Sequence, residues 1–238
     1  MRPVLLLLCL SALAPVHSSI AQGLRPAVGA DNDPAILHPG EWLGEEFAAR
    51  SMDVDEIRGY LEYLADASDR VDLEFIGTSV QGDPLMLAVI SDPARREDLP
   101  GRGARVDRMR DAWRADLEER ESLARSERAL CWIACSVHGD EASGSDAGVL
   151  LAWHLASDRS AETESILDAT VVIVDPCQNP DGRRRFLQQV RSFGRQRLEP
   201  DPSPWAAEHW STWPGGRTNH FLFDLNRDWA FLTQAESR

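Results

Sequence analysis

The sequence predicts an α/β domain built on a mixed, partly parallel β-sheet flanked by helices. Two observations carry that expectation. The apolar runs at residues 71–75 and 84–91 flank the turn Gly77-Thr-Ser-Val-Gln-Gly82, the signature of an antiparallel hairpin. Further on, the runs at 130–137 and 170–175 are separated by a helical pattern over 143–156, the alternation from which parallel strand pairs are built. With 238 residues, 43% of them hydrophobic, the chain can bury a core of its own.

Residues 1–21 stand apart from the domain. Arg2 precedes an apolar run from Val4 to Leu10, and small residues follow around Ser18 and Ala21. That layout predicts a cleaved signal peptide and a secreted or periplasmic protein. The run is too short for a stable membrane anchor. Residues 22–48 read as an extended lead-in, rich in Ala, Pro, Gly and Asp, and 49–238 as the domain.

Within the domain, Asp53-Val-Asp-Glu56 forms a capping box before a helix whose apolar face is Ile57, Tyr60, Leu61 and Leu64. A charged helix is expected from Val106 to about Leu123, with Val106, Met109, Trp113 and Leu117 on one side. Residues 130–137 read as a fully apolar strand. The helix over 143–156 should turn Ala147, Leu150, Leu151 and Leu155 inward, and the β-branched run at 170–175 suits a strand buried on both faces. A long irregular stretch follows Gly182, and 221–225 is the last strand-like run. Cys131 and Cys135 flank Ile133 on one strand face and read as core thiols, with Cys177 near Cys135 if the strands pair. A net charge of −14 argues against nucleic acid and anionic membrane as partners.

The chemistry lies in three motifs. His-x-x-Glu occurs twice, at His38-Pro-Gly-Glu41 and at His138-Gly-Asp-Glu141. Only the second follows a strand directly, so that an imidazole and a carboxylate converge at its carboxyl end, where open α/β sheets place their sites. Zinc accepts that pair of donors. Asn179-Pro-Asp-Gly182 ends the next strand with consecutive turn-formers. In Asp224-Leu-Asn-Arg-Asp-Trp229, Arg227 offers a planar fork for a carboxylate and Asn226 a neutral donor beside it. The same arginine could equally be structural, paired with Asp224 or Asp228.

In this order the three motifs resemble the zinc carboxypeptidase family, from about Glu56 to Trp229. The turn Gly77-Thr-Ser-Val-Gln-Gly-Asp-Pro84 is similar to that family's early turn, with Asp83 where arginine is usual. The stretch Trp213-Pro-Gly-Gly-Arg-Thr-Asn-His220 resembles a secreted bacterial branch. The resemblance implies that His138 and Glu141 bind Zn2+, and that Asn226 and Arg227 hold the terminal carboxylate of peptide or protein C-termini. It also implies an arginine that polarises the scissile carbonyl, with Arg195 the candidate ahead of Arg191 and Arg197. The family's third zinc ligand is a histidine beyond the third motif, and its general base is a glutamate further on. Nine residues follow Trp229, none of them histidine. The expectation is therefore a fragment, lacking the C-terminal part of the domain and inactive alone. Two alternatives stand beside it: a related zinc deacylase or amidase acting on N-acyl amino acids, and a non-catalytic protein that binds peptide C-termini.

Overall fold

The computed structural model describes residues 31–98, 101–114, 116–193, 203, 205 and 212–238. The expected signal peptide, the first part of the lead-in, and Arg195 and Arg197 lie outside the described residues. No described helix is long and apolar enough to cross a membrane.

The elements run α1 (Pro39–Leu43), α2 (Val54–Ala67), β1 (Val71–Thr78), β2 (Pro84–Ile90), α3 (Arg102–Arg110), α4 (Leu117–Ser126), β3 (Ala129–Ala134), α5 (Ala142–Ser157), α6 (Ala161–Ala169), β4 (Thr170–Asp175) and α7 (Pro180–Phe193). The sheet order is β1-β2-β4-β3. β1 and β2 form the expected antiparallel hairpin, β2 pairs antiparallel with β4, and β3 pairs parallel with β4. The sheet is mixed, as the alternation of elements predicts.

Local chemistry explains the best-defined helix. Asp53 accepts from Glu56 N at 2.9 Å while the Glu56 carboxylate accepts from Asp53 N at 2.8 Å, a reciprocal capping box. Ile57, Tyr60, Leu61 and Leu64 are all buried, and they pack with Val149, Ala152, Trp153 and Ala156 of α5 over Ala88, Ile90, Val172 and Val174 of the sheet. Each such aliphatic side chain contributes roughly 1.5–3 kcal/mol by leaving water.

The last part of the lead-in joins this core through Ile36, and His38 caps α1. His38 Nδ1 accepts from Gly40 N, and His38 N donates to Glu41 Oε2. The first His-x-x-Glu is thus a helix cap.

Five expectations are corrected. The charged helix over 106–123 is two helices, because the Asp116 carboxylate accepts from Glu119 N at 2.8 Å and starts α4 afresh. Val106, Trp113 and Leu117 are exposed rather than on a buried face. On α5, Leu155 is buried and Leu150 and Leu151 pack half-buried against the core as expected, but Ala147 is exposed and Val149, Ala152, Trp153 and Ala156 carry most of the inward face. The polar residues Ser145, Asp146 and Ser157 are buried on this helix too, so its inward phase is weakly marked in sequence. β3 is not buried: among the described residues it is the sheet edge, and Leu130 and Trp132 are about half exposed. For the same reason Cys131 is an exposed thiol, while Cys135 and Cys177 are intermediate in exposure, and all three are free. Residues 221–225 form no strand. Asn219 Oδ1 accepts from both Phe221 N and Phe223 N, which folds the segment into a turn.

Candidate metal centre

The loops after the parallel strands β3 and β4 run side by side past the strands' carboxyl ends. Cys135 N donates to Asp175 O, Gln178 N to Cys135 O, and Asn179 N to Ser136 O. Ser136 has a positive φ of 56°, and its hydroxyl donates to His138 O at 2.9 Å, closing a tight turn that aims His138 inward.

Two close approaches lock this turn in place. A Cβ on Gly139 would lie 2.1 Å from Arg183 N, and one on Gly182 would lie 2.4 Å from Gly216 O. The segments carrying the first two motifs and the Gly215-Gly216 stretch therefore touch backbone to backbone. The Asn179-Pro-Asp-Gly182 turn is the middle layer: Asp181 is fully buried and accepts from Ser79 Oγ and Gln81 N of the hairpin turn. Next to it, the guanidinium of Arg183 is fully buried on Met52 O, Ala142 O and Asp146. Arg184 forks onto both oxygens of Asp83, at 2.7 and 2.6 Å. The hairpin turn's acidic Asp83 thus receives its arginine from α7.

His138 is 5% exposed, and a carboxylate faces each ring nitrogen. Nε2 lies 3.0 Å from Asp224 Oδ1, and Nδ1 lies 2.9 Å from Glu141 Oε1. A neutral imidazole has one N–H and a carboxylate has none, so a neutral ring donates to only one of the two carboxylates and turns a lone pair toward the other. Asp224 is the better-anchored acceptor. Its Oδ1 also accepts from Asn226 N at 3.1 Å, and Oδ2 accepts from Arg217 at 3.0 Å. Burial raises the Asp224 pKa, but hydrogen bonds from His138 and Arg217 outweigh it and hold the carboxyl below the usual range. An ionised Asp224 fixes the proton on Nε2 and leaves the Nδ1 lone pair facing Glu141, the carboxylate–histidine arrangement that prepares an imidazole to bind a metal.

The donors fit zinc in kind. Glu141 precedes α5 without spending its carboxylate on a cap, and its side chain is largely exposed. Two ligands about 2.0–2.1 Å from one zinc ion at a tetrahedral angle stand roughly 3.3 Å apart, close to the observed separation. Asp224 cannot join them, because it occupies the opposite edge of the same ring. Among the described residues no group of three His, Cys, Asp or Glu side chains is disposed to hold a metal.

The third motif is brought to the same place. Asp224 caps the turn Leu225–Arg227, so one carboxylate ties His138 to the residues expected to hold substrate. Asn226 Oδ1 accepts from Trp229 Nε1 at 3.2 Å, and among the described residues Arg227 donates only to Asn226 O. Neither Asp224 nor Asp228 pairs with Arg227. Asp228 is buried, and Thr233 and Gln234 donate to it. Of the arginines considered for the scissile carbonyl, Arg191 pairs with Asp53 at 3.3 Å on an exposed surface, and Arg195 lies outside the described residues. The arginine at the site is Arg217, whose terminal nitrogens lie 3.0 Å from Asp224 and 3.5 Å from His138 Nδ1. Its sequence signals are its place in the family-like stretch Trp213–His220 and the Gly215-Gly216 pair before it, which permits the close approach to Gly182.

The chain is similar to several solved structures. Carboxypeptidase A from Helicoverpa armigera is 17% identical, with a TM-score of 0.42, over 64% of this chain and 31% of that one. A metallo-carboxypeptidase from Burkholderia cenocepacia is 16% identical, with a TM-score of 0.41, over 76% and 33%. Bovine thrombin-activatable fibrinolysis inhibitor, solved with tick carboxypeptidase inhibitor, is 15% identical, with a TM-score of 0.40, over 65% and 40%. The chain thus spans about a third of the length of these structures. No curated protein matches it. The family model for zinc carboxypeptidases matches residues 57–238, three quarters of the sequence and all three motifs, and the chain belongs to that family.

Proposed function

We propose that this chain carries the metal-ligand pair and the substrate-carboxylate pair of an exported zinc metallocarboxypeptidase, an enzyme releasing C-terminal residues from peptides and proteins. The observation that carries the reading is His138, with Nε2 held by Asp224 and Nδ1 facing Glu141. His138 Nδ1 and Glu141 would hold the zinc, which when bound polarises a carbonyl and lowers the pKa of a water to about 7.

The chain's own residues do the rest. Asp224 keeps the proton on Nε2 and, through Asn226 N, holds the carboxylate-binding turn at a fixed distance from His138. Arg227 keeps most of its donors for the substrate's terminal carboxylate. With Oδ1 engaged by Trp229, Asn226 is left with its Nδ2 donors. Arg217 replaces Arg195 as the arginine that would polarise the scissile carbonyl, since it stands beside Nδ1 with donors to spare. A third ligand and a general base complete the chemistry, and the activity is proposed for the whole protein that supplies them. The apolar run behind Arg2 supports export to the periplasm or beyond.

The test uses the protein isolated from its own source, loaded with zinc and offered three substrates: a free-carboxylate peptide, its C-terminal amide, and N-acyl amino acids. Release of the last residue from the free peptide alone is expected, with Arg227→Met raising KM. Preferential hydrolysis of the N-acyl amino acids would replace this reading with the deacylase one. Binding of the free peptide without hydrolysis would leave a peptide-binding protein.

A further inference from the structure

Asn179 precedes α7, and its side chain does more than cap that helix. Oδ1 accepts from Gly182 N at 2.9 Å, ordinary capping geometry with Pro180 at the first helical position. Nδ2 donates twice, to Val137 O at 3.3 Å and to Arg217 O at 3.2 Å. One of these carbonyls belongs to the residue before His138, and the other to Arg217 itself. The side chain is fully buried, and the two bonds span 42 and 38 residues. Ser, Thr or Asp would cap α7 comparably, but only an amide caps and donates twice.

We propose that Asn179 is a positioning residue that fixes the backbones of His138 and Arg217 relative to each other, so that imidazole and guanidinium meet on Asp224. The inference rests on the reading of His138 as a metal ligand. Asp181 supplies the contrast. It is equally buried in the same turn, but its carboxylate holds the hairpin turn through Ser79 and Gln81 instead of the site. Loss of Asp181 should loosen the fold without moving His138, whereas loss of the Asn179 donors should move the ligand.

The experiment compares Asn179→Asp with Asp181→Asn in the full chain. Asn179→Asp keeps the capping acceptor and the shape but sets an oxygen against two carbonyl oxygens. Three quantities are read: the melting temperature, zinc affinity by competition with a chromophoric chelator, and, without metal, the NMR signal of the His138 Nε2 proton that Asp224 protects from exchange. Asn179→Asp is expected to weaken zinc binding about 10-fold or more, the scale of an outer-shell ligand contact. It should also lose the ring-proton signal to exchange. Asp181→Asn should lower the melting temperature while leaving the other two readouts within about twofold of the parent. Equal effects of the two variants, or an unchanged zinc affinity and ring proton in Asn179→Asp, would overturn the proposal. If Asn179→Asp does not fold, Asn179→Ser, which retains a capping oxygen without the donors, is measured with the same expectations. A parent chain that binds no zinc would sink the metal reading alone, because the ring-proton comparison needs no metal.

Discussion

Replacing Arg183 with Met should be among the most damaging single changes available outside the site. The Arg183 side chain is wholly buried and makes four hydrogen bonds: two to Met52 O, one to Ala142 O at 3.0 Å and one to Asp146 Oδ1 at 2.8 Å. Met fills a similar volume but leaves Asp146 as a buried carboxylate held by Met52 N, at 3.2 Å, and by Ser51. Breaking one side of a buried pair costs about 3–5 kcal/mol, a large share of the ~5–15 kcal/mol that holds a domain together. For a urea m-value of about 2 kcal/mol per molar, the midpoint should fall by roughly 2 M. Burial already pushes the Asp146 pKa up against the opposing pull of Arg183, so without the arginine it should rise further. A raised carboxyl pKa destabilises the fold as pH climbs through it, so the loss should be smaller at pH 5 than at pH 8. Converting Asp146 to Leu in the same chain removes the stranded charge and should recover much of the loss, a non-additivity that a double-mutant cycle reads directly. A cost under about 1 kcal/mol for Arg183→Met, or simple additivity with Asp146→Leu, would refute the reasoning.

Three further outcomes follow from the same geometry. Burial pushes the Asp175 carboxyl up to about 7, so its contribution is complete at pH values below its unfolded pKa and is lost as pH rises through 7. Asp175→Asn should therefore stabilise the fold progressively above pH 5, by up to about 4 kcal/mol at pH 8, in urea titrations run across that range. Asp224→Ala should weaken zinc binding about 10- to 100-fold by freeing the His138 ring, measured by chelator competition. Gly139→Ala sets a Cβ 2.1 Å from Arg183 N, so the folded yield should collapse, and a parent-like circular dichroism melt would contradict the packing described.

Much of the frame can be read from the sequence because its signals are local. The capping box at Asp53, the hairpin around Gly77 and the turn-formers after β4 each act within a few residues. The three motifs single out His138, Glu141, Asn226 and Arg227 as candidates in the same way, although only the first two follow strands. What sequence misses depends on distant partners. The exposure of β3 follows from its place at the sheet edge, which no property of its six residues records. Asp224 reaches His138 across 86 positions and Arg217 reaches it across 79, so neither contact leaves a periodic trace. Asp116 and Asn219 each redirect the backbone through one side chain, enough to override a helical pattern and a strand-like run.

Asp224, facing Nε2, leaves one nitrogen of the His138 ring for a metal. Long-range 1H–15N correlation of the His138 ring, recorded before and during a zinc titration, tests that directly. The expected spectrum has the proton on Nε2 throughout, with zinc shifting Nδ1. A zinc-dependent shift at Nε2, or a ring that zinc leaves untouched, would contradict the assignment of His138 and Glu141 as the ligand pair.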